Sequence, residues 1–191
     1  AQRDITNRKD RGTVFTFRIE PDIVMRLFER RHAAELCVFF TQNRAHLELE
    51  LSWLTDPFDE GGVGEYIQAG LDRLAANQGF RAGIWWRGAL AGCVSLHGVD
   101  WNDRKASLGY WVGQQYQGRG LVTQCLQAVI AHAFDDLGLE RLEILCAADN
   151  ERSRKMALRL GFQEEGVLRR SWLRQGQWVD QVLHSRLRER G

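Results

Sequence analysis

The chain is short of several things, and each shortage closes off a class of protein. It has two prolines in 191 residues, so no proline-rich linker or polyproline segment divides it. No uninterrupted apolar run approaches the ~20 residues that a membrane-spanning helix needs. Neither sign of charge is in excess: Lys and Arg total 26 against 25 Asp and Glu, a net charge of +1. No overall field therefore draws the chain to nucleic acid or to a membrane. The four cysteines, Cys37, Cys93, Cys125 and Cys146, lie far apart with no CxxC pair. That spacing argues against a structural metal site and fits buried, reduced thiols of a cytoplasmic protein. The first dozen residues, AQRDITNRKDRG, lack the apolar centre of a signal peptide and read as a flexible lead-in.

What is present is an ordinary soluble composition, 44% hydrophobic and 27% charged, in a length that supports one good-sized core. We expect one domain over residues 13–191. TVFTFRIEPDIVMRLF reads as extended and bent at Pro21. HAAELCVFFTQN puts Ala33, Leu36, Cys37 and Phe40 on one helical face, and RAHLELELSWL does the same with Leu47, Leu51 and Leu54. A further helix carries Val63, Ile67, Leu71 and Leu74, with Gly79 as its C′ residue.

The period then shortens. FRAGIWW and ALAGCVSLHGV are strands joined tightly through Arg87 and Gly88, and SLGYWVG is a third. LVTQCLQAVIAHAFDDLG is a helix with Val122, Leu126, Val129 and Ala133 inward, and RLEILCAA has the look of a central strand. Asp149 or Asn150 caps a short helix, ERSRKMALRL, that stops at Gly161. A last hairpin turns near Gln175 and Gly176. Helices, antiparallel strands and a strand–helix–strand–helix run make a mixed α+β layer structure.

Chemistry is concentrated where SLGYWVG gives way to helix, at Gln115-Tyr116-Gln117-Gly118-Arg119-Gly120. A helix start leaves N–H groups unpaired and lies at the positive end of the helix dipole, so it attracts anions wherever backbone can approach. Gly118 and Gly120 remove Cβ atoms there and permit unusual φ angles. The same two glycines also suit a plain tight turn. A dinucleotide fingerprint fails at Thr123, where a third glycine belongs, and the Gly-Lys-Ser/Thr of a P-loop is absent.

The loop instead matches the Q/R-x-x-G-x-G/A pattern of the GNAT superfamily. HLELELSWL, SLHGVDWNDRKASLGYW, GYWVGQQYQGRGL, AFDDLGLERLEI and NERSRKMALRLGFQEEGVLRR resemble the ribosomal-protein N-acetyltransferases of the RimJ/RimL type. The similarity spans nearly all the chain after its first dozen residues. It implies a central, mostly antiparallel, splayed sheet flanked by helices, and acetyl-CoA as acetyl donor. It also implies that Gln117, Gly118, Arg119, Gly120 and Leu121 cradle the diphosphate. The backbone of Trp111 and Val112 would pair with the pantetheine arm and polarise the thioester carbonyl. Asn150 would bond the arm, although its position suits a helix cap equally. Ser153 would protonate or solvate the departing thiolate, or act as a second cap.

The resemblance leaves the proton acceptor open. Related enzymes often carry a glutamate on the strand where this chain has Ser107, and another position sometimes acidic falls at Trp172. Candidates are His97, whose unperturbed pKa suits proton work, then Asp100, Asp180 and water. His97 is equally a structural hydrogen bonder and Asp180 equally a hairpin orienter. Trp53, Trp101, Trp111, Trp172 and Trp178 line an acceptor groove or belong to core and hairpin; Arg169, Arg170 and Arg174 form a cationic rim or a solvated face. Glu48 and Glu50 alternate with leucines on a helix, either as acids for a polycation or as solvent-facing residues.

At pH 7.5 roughly a third of an α-amine is already neutral but only about a thousandth of a lysine. A site without a committed carboxylate favours the α-amine of a protein, such as a ribosomal protein. Two alternatives stand beside it: a small-amine acetyltransferase acting on a polyamine or amino sugar, and a non-catalytic acyl-CoA sensor. Related transferases often dimerise, which leaves a homodimer open.

Overall fold

The computed structural model describes residues 16–51, 54 and 59–189. Two short strands, β1 (Thr16–Glu20) and β2 (Ile23–Leu27), turn at Pro21. Helices α1 (Ala33–Leu47) and α2 (Glu60–Ala75) follow, then β3 (Gly79–Trp86), β4 (Ala89–Asp100) and β5 (Lys105–Val112). Next come α3 (Leu121–Ala131), β6 (Arg141–Ala147), α4 (Glu151–Arg159), β7 (Gln163–Arg174) and β8 (Gln177–Leu187). The strands form one sheet in the order β1-β2-β3-β4-β5-β6-β8-β7. All neighbours are antiparallel except β5 and β6.

Two apolar clusters flank this sheet because alternate side chains of each strand face opposite ways. One holds Val94, Leu96, Leu108, Leu142 and Ile144 against Val122, Leu126 and Val129 of α3. The other packs Leu36, Phe39 and Phe40 of α1 and Val63 and Ile67 of α2 against Trp85, Cys93 and Trp111. The α3 face follows the sequence periodicity. The hairpin turns also fall where expected, with left-handed φ at Arg87–Gly88 and at Gln175–Gly176.

The structure corrects the helical expectations at three points. The two predicted N-terminal helices are one continuous α1, whose buried residues are Leu36, Phe39, Phe40, Asn43 and Leu47. It ends at Leu47, so Leu51 and Leu54 reach the core from beyond the helix rather than along its face. Helix α2 begins earlier than its apolar pattern, because Asp59 caps it by accepting the Gly62 N–H at 2.9 Å. At its far end Asn77 takes the left-handed conformation assigned to Gly79 (φ 56°), and Gly79 instead opens β3; Leu74 is exposed. Residues 1–12, expected as a lead-in, and Trp53 lie outside the described residues. Among the described residues no helix is long and apolar enough to cross a membrane.

Candidate active site

The sheet opens between β5 and β6. Their parallel pairing covers only Lys105↔Arg141, Ala106↔Leu142 and Ser107↔Glu143. Beyond Ser107, β5 continues against β4 as far as Val112, while β6 continues against β8 as far as Ala147. The Gly113 N–H donates to Ala91 O at 2.9 Å, which fixes Gly113, Trp111 and Gly109 as the hydrogen-bonded positions facing β4. Antiparallel strands alternate such pairs, so the main-chain groups of Tyr110 and Val112 point the other way, into the gap. The cavity there has a volume of about 1120 Å³ and runs from the start of α3 to the start of α4.

At the α3 end the backbone is shaped for close approach. Gly118 (φ 73°) and Gly120 (φ 74°) both sit in the left-handed region. A Cβ on Gly118 would meet no protein atom within 4 Å, so within the protein itself the need for glycine is conformational. Gly120 is the N-cap residue and no side chain caps the helix. The first N–H groups of α3 are thus left for a ligand. Helix α1 braces the loop: the Asn43 Oδ1 accepts the Gln114 N–H at 2.9 Å, and the Gln117 amide meets His46 Nε2 at 2.7 Å. Gln117, Gly118, Gly120 and Leu121 line the cavity. Arg119 does not; its guanidinium lies 4.7 Å over the Trp86 ring.

The α4 end is polar and tightly bonded. The Asn150 Oδ1 accepts the Ser153 N–H at 2.9 Å, so Asn150 rather than Asp149 caps the helix. Ser153 is buried, and its hydroxyl lies 2.5 Å from that of Tyr110. Burial pushes Tyr110 well above the ordinary phenol range, which makes it a hydrogen-bonding hydroxyl and not a phenolate at neutral pH. Cys146 lines the cavity instead of lying wholly in the core. Burial raises its thiol as well, against the hydrogen bond with Ser153 and the charge of Arg154, so the thiol form prevails at neutral pH.

The structure does not bring the expected bases here. His97 is absent from the cavity lining. Its Nδ1 lies 3.5 Å from Ser95 Oγ, and burial, with Arg73 and Arg81 adding to it, lowers its pKa to about 4. Asp100 accepts the N–H groups of Asn102 and Asp103 in an exposed turn. Asp180 accepts the Arg170 N–H at 2.8 Å, beside the irregularity in β7, and so shapes the hairpin. Of the tryptophans, Trp111 and Trp172 line the cavity, whereas Trp101 and Trp178 are exposed elsewhere. Trp111 does so from inside the aromatic cluster, its indole N–H donating to Tyr66 OH at 3.1 Å. Arg174 forms an ion pair with Asp149 at 2.5 Å and is no free rim charge.

One group whose place the sequence leaves open is brought in by the structure. Glu50 lies three positions past the end of α1, and the turn there carries it into the cavity lining. It is the only carboxylate among the described residues of that lining, which also holds His46, Arg152 and Arg159. Burial lifts its pKa above the ordinary carboxylate value, against the hydrogen bond from Asn150 and the charge of Arg174, while Asp149 adds to the rise. Tyr110 is a group that sequence reasoning misses, since it reads as one more apolar strand position.

A splayed sheet, an uncapped glycine corner and a capped α4 meet at this one gap. The family model for the acetyltransferase (GNAT) domain matches residues 22–163. The chain belongs to the GNAT acetyltransferase family. YdaF of Bacillus subtilis (strain 168), provisionally named a ribosomal N-acetyltransferase, is 34% identical over 92% of this chain and 96% of its own. The microcin C7 self-immunity acetyltransferase MccE, solved with acetyl-CoA and AMP, is 26% identical with a TM-score of 0.86, over 92% of this chain and 97% of that one. The fold is also that of the ribosomal L7/L12 α-N-protein acetyltransferase RimL, solved with coenzyme A: TM-score 0.86, 22% identity, 91% of this chain and 98% of that one. This GNAT chain is an N-acetyltransferase, and GNAT enzymes draw their acetyl group from acetyl-CoA.

Proposed function

We propose that the chain acetylates the N-terminal α-amine of a protein, a ribosomal protein being the first candidate. The observation that carries this reading is the charge of the cavity lining: one carboxylate, Glu50, beside His46, Arg152 and Arg159. A polyamine needs several anions to match its charges, whereas an α-amine presents one. The name of the B. subtilis relative supports the choice of ribosomal protein.

In this reading the α3 amides at Gly118, Gly120 and Leu121, with Gln117 beside them, hold the diphosphate of the donor. The N–H of Val112 polarises the thioester carbonyl, an oxyanion-type contribution of roughly 3–4 kcal/mol. Asn150 contacts the pantetheine arm while capping α4, and Ser153, bonded to Tyr110, supplies the proton to the leaving sulfur. The cysteines take no part as nucleophiles, since burial keeps Cys93 and Cys125 protonated up to about pH 12. Attack by the amine is direct.

The test is transfer itself. Purified protein with acetyl-CoA and a panel of N-terminal peptides, read by release of free thiol and by mass, should give α-amine acetylation. Transfer to polyamines or amino sugars alone would replace the acceptor. Tight coenzyme A binding with transfer to no amine would make the chain a sensor.

A further inference from the structure

The acceptor reading leaves the amine's proton without a destination, and the inference drawn here rests on that reading. Two cavities meet at Glu50. The cleft between β5 and β6 is one; a smaller space of about 380 Å³ lies between the end of α1 and the β7–β8 turn, beside Asp149, Arg174 and Gln177. Leu49 and Glu50 line both. Asn150 ties this junction to the reacting end of the cleft: it lines the cavity with Glu50 and acts on that carboxylate's titration, while its Oδ1 accepts the Ser153 N–H.

The other ionisable groups near the junction are already committed. His46 is bonded to Gln117 in the glycine loop, on the α3 side of the cleft. Asp149 is held by Arg174. Tyr110 is bonded to Ser153. The charged or titratable groups facing Glu50 are thus His46 from α1, Asp149 from the turn before α4, Arg174 from the end of β7, and Tyr110 and Cys146 from the two cleft strands.

We propose that Glu50 is the general base: the acceptor's N-terminus enters through the smaller cavity, and Glu50 takes the proton that its amine loses. The nitrogen lone pair forms the bond to the acetyl carbon, and the carbon–sulfur bond breaks. One N–H proton passes to the Glu50 carboxylate. The thiolate leaves with the Ser153 hydroxyl proton. Water then takes the proton from Glu50 and returns one to Ser153, so the enzyme is restored and thiol and amide are the products. Burial of the carboxylate serves this role, because a base works best when its pKa approaches the working pH.

The experiment compares wild type, Glu50→Gln and Glu50→Ala with acetyl-CoA and a peptide that the wild type acetylates. Glu50→Gln keeps the size of the side chain and one carbonyl oxygen while removing the charge. It should lower kcat by about 10²–10⁴-fold while KM for acetyl-CoA and the calorimetric Kd for CoA stay within about threefold. Added formate should restore at least about tenfold of the rate of Glu50→Ala, as a small carboxylate occupying the vacated space. A kcat for Glu50→Gln within about threefold of wild type overturns the assignment. So does a loss expressed in KM for acetyl-CoA, which would make Glu50 a positioning residue acting through Asn150, or an absence of rescue by formate. CoA binding by each variant reports that it is folded. Wild type that binds CoA but acetylates no peptide fails one step earlier: it overturns the acceptor reading, and the base assignment with it.

Discussion

The two sides of the cleft are built from different material. In the proposed function the working groups on the donor side are main chain: the first amides of α3, at left-handed glycines, and the strand groups of Tyr110 and Val112. Their positions are set by sheet register and by the brace from Asn43. On the proposed acceptor side they are side chains at the ends of elements, which line the two cavities: Glu50 after α1, Asp149 before α4, Trp172 and Arg174 on β7. Backbone binding tolerates side-chain change and fails when the backbone is bent out of shape. Side-chain chemistry does the reverse. A cofactor site can therefore persist while the acceptor site changes around it.

Substitutions on either side of the cleft should separate the two kinds of site. The largest expected effect is on the acceptor side, the fall in kcat of Glu50→Gln. Next is Gly120→Val on the donor side. A β-branched residue at φ 74° costs roughly 1–3 kcal/mol, so calorimetry should find CoA binding weakened about 10–100-fold while circular dichroism shows the fold retained. Ser153→Ala removes the hydroxyl proposed to protonate the leaving sulfur, a task that water entering the cleft can partly take over; kcat should fall about tenfold with little change in KM for acetyl-CoA. Val112→Ala is expected to do least to the donor. It alters a side chain where the proposed contacts are main chain, so Kd for CoA should change by less than about threefold, with a stability loss of roughly 1 kcal/mol in denaturant titration.

His97 lies outside the cleft lining and serves as a control. Its folded pKa is about 4, below the ordinary histidine value of 6.5, so the unfolded chain binds the extra proton first as pH falls. The neutral imidazole contributes fully above pH 6.5, and that contribution is lost as pH drops from 6.5 towards 4. His97→Gln should flatten the stability curve in that window, by an amount on the order of a few kcal/mol, and leave kcat within about twofold. A large fall in kcat would return His97 to the chemistry.

Most of the donor side is legible in the sequence, because backbone conformation is written in residue type. Gly118 and Gly120 announce left-handed turns by their identity alone, and Asp149-Asn150 announces a cap, which the structure gives to Asn150. The family resemblance supplies what spacing alone does not, the splay of β5 from β6. Glu50 is harder to place, because the leucine spacing in HLELELSWL continues a helical pattern that the chain abandons at Leu47. Periodicity records which residues are buried, not whether a helix or a turn delivers them. Tyr110 is hidden by strand alternation, which gives a side chain its face but not its partner 43 positions later. His97 becomes a candidate through its intrinsic pKa, and the burial and the two arginines that lower it come from the tertiary structure.

Calorimetric titration with CoA and with pantetheine, which lacks the diphosphate, tests most directly whether the uncapped start of α3 grips the donor. The account predicts one saturable CoA site per chain, at least about tenfold tighter than the site for pantetheine. That margin is about 1.4 kcal/mol, modest for a charged group on free amides. Equal affinities, or no saturation by CoA for folded protein, would contradict it.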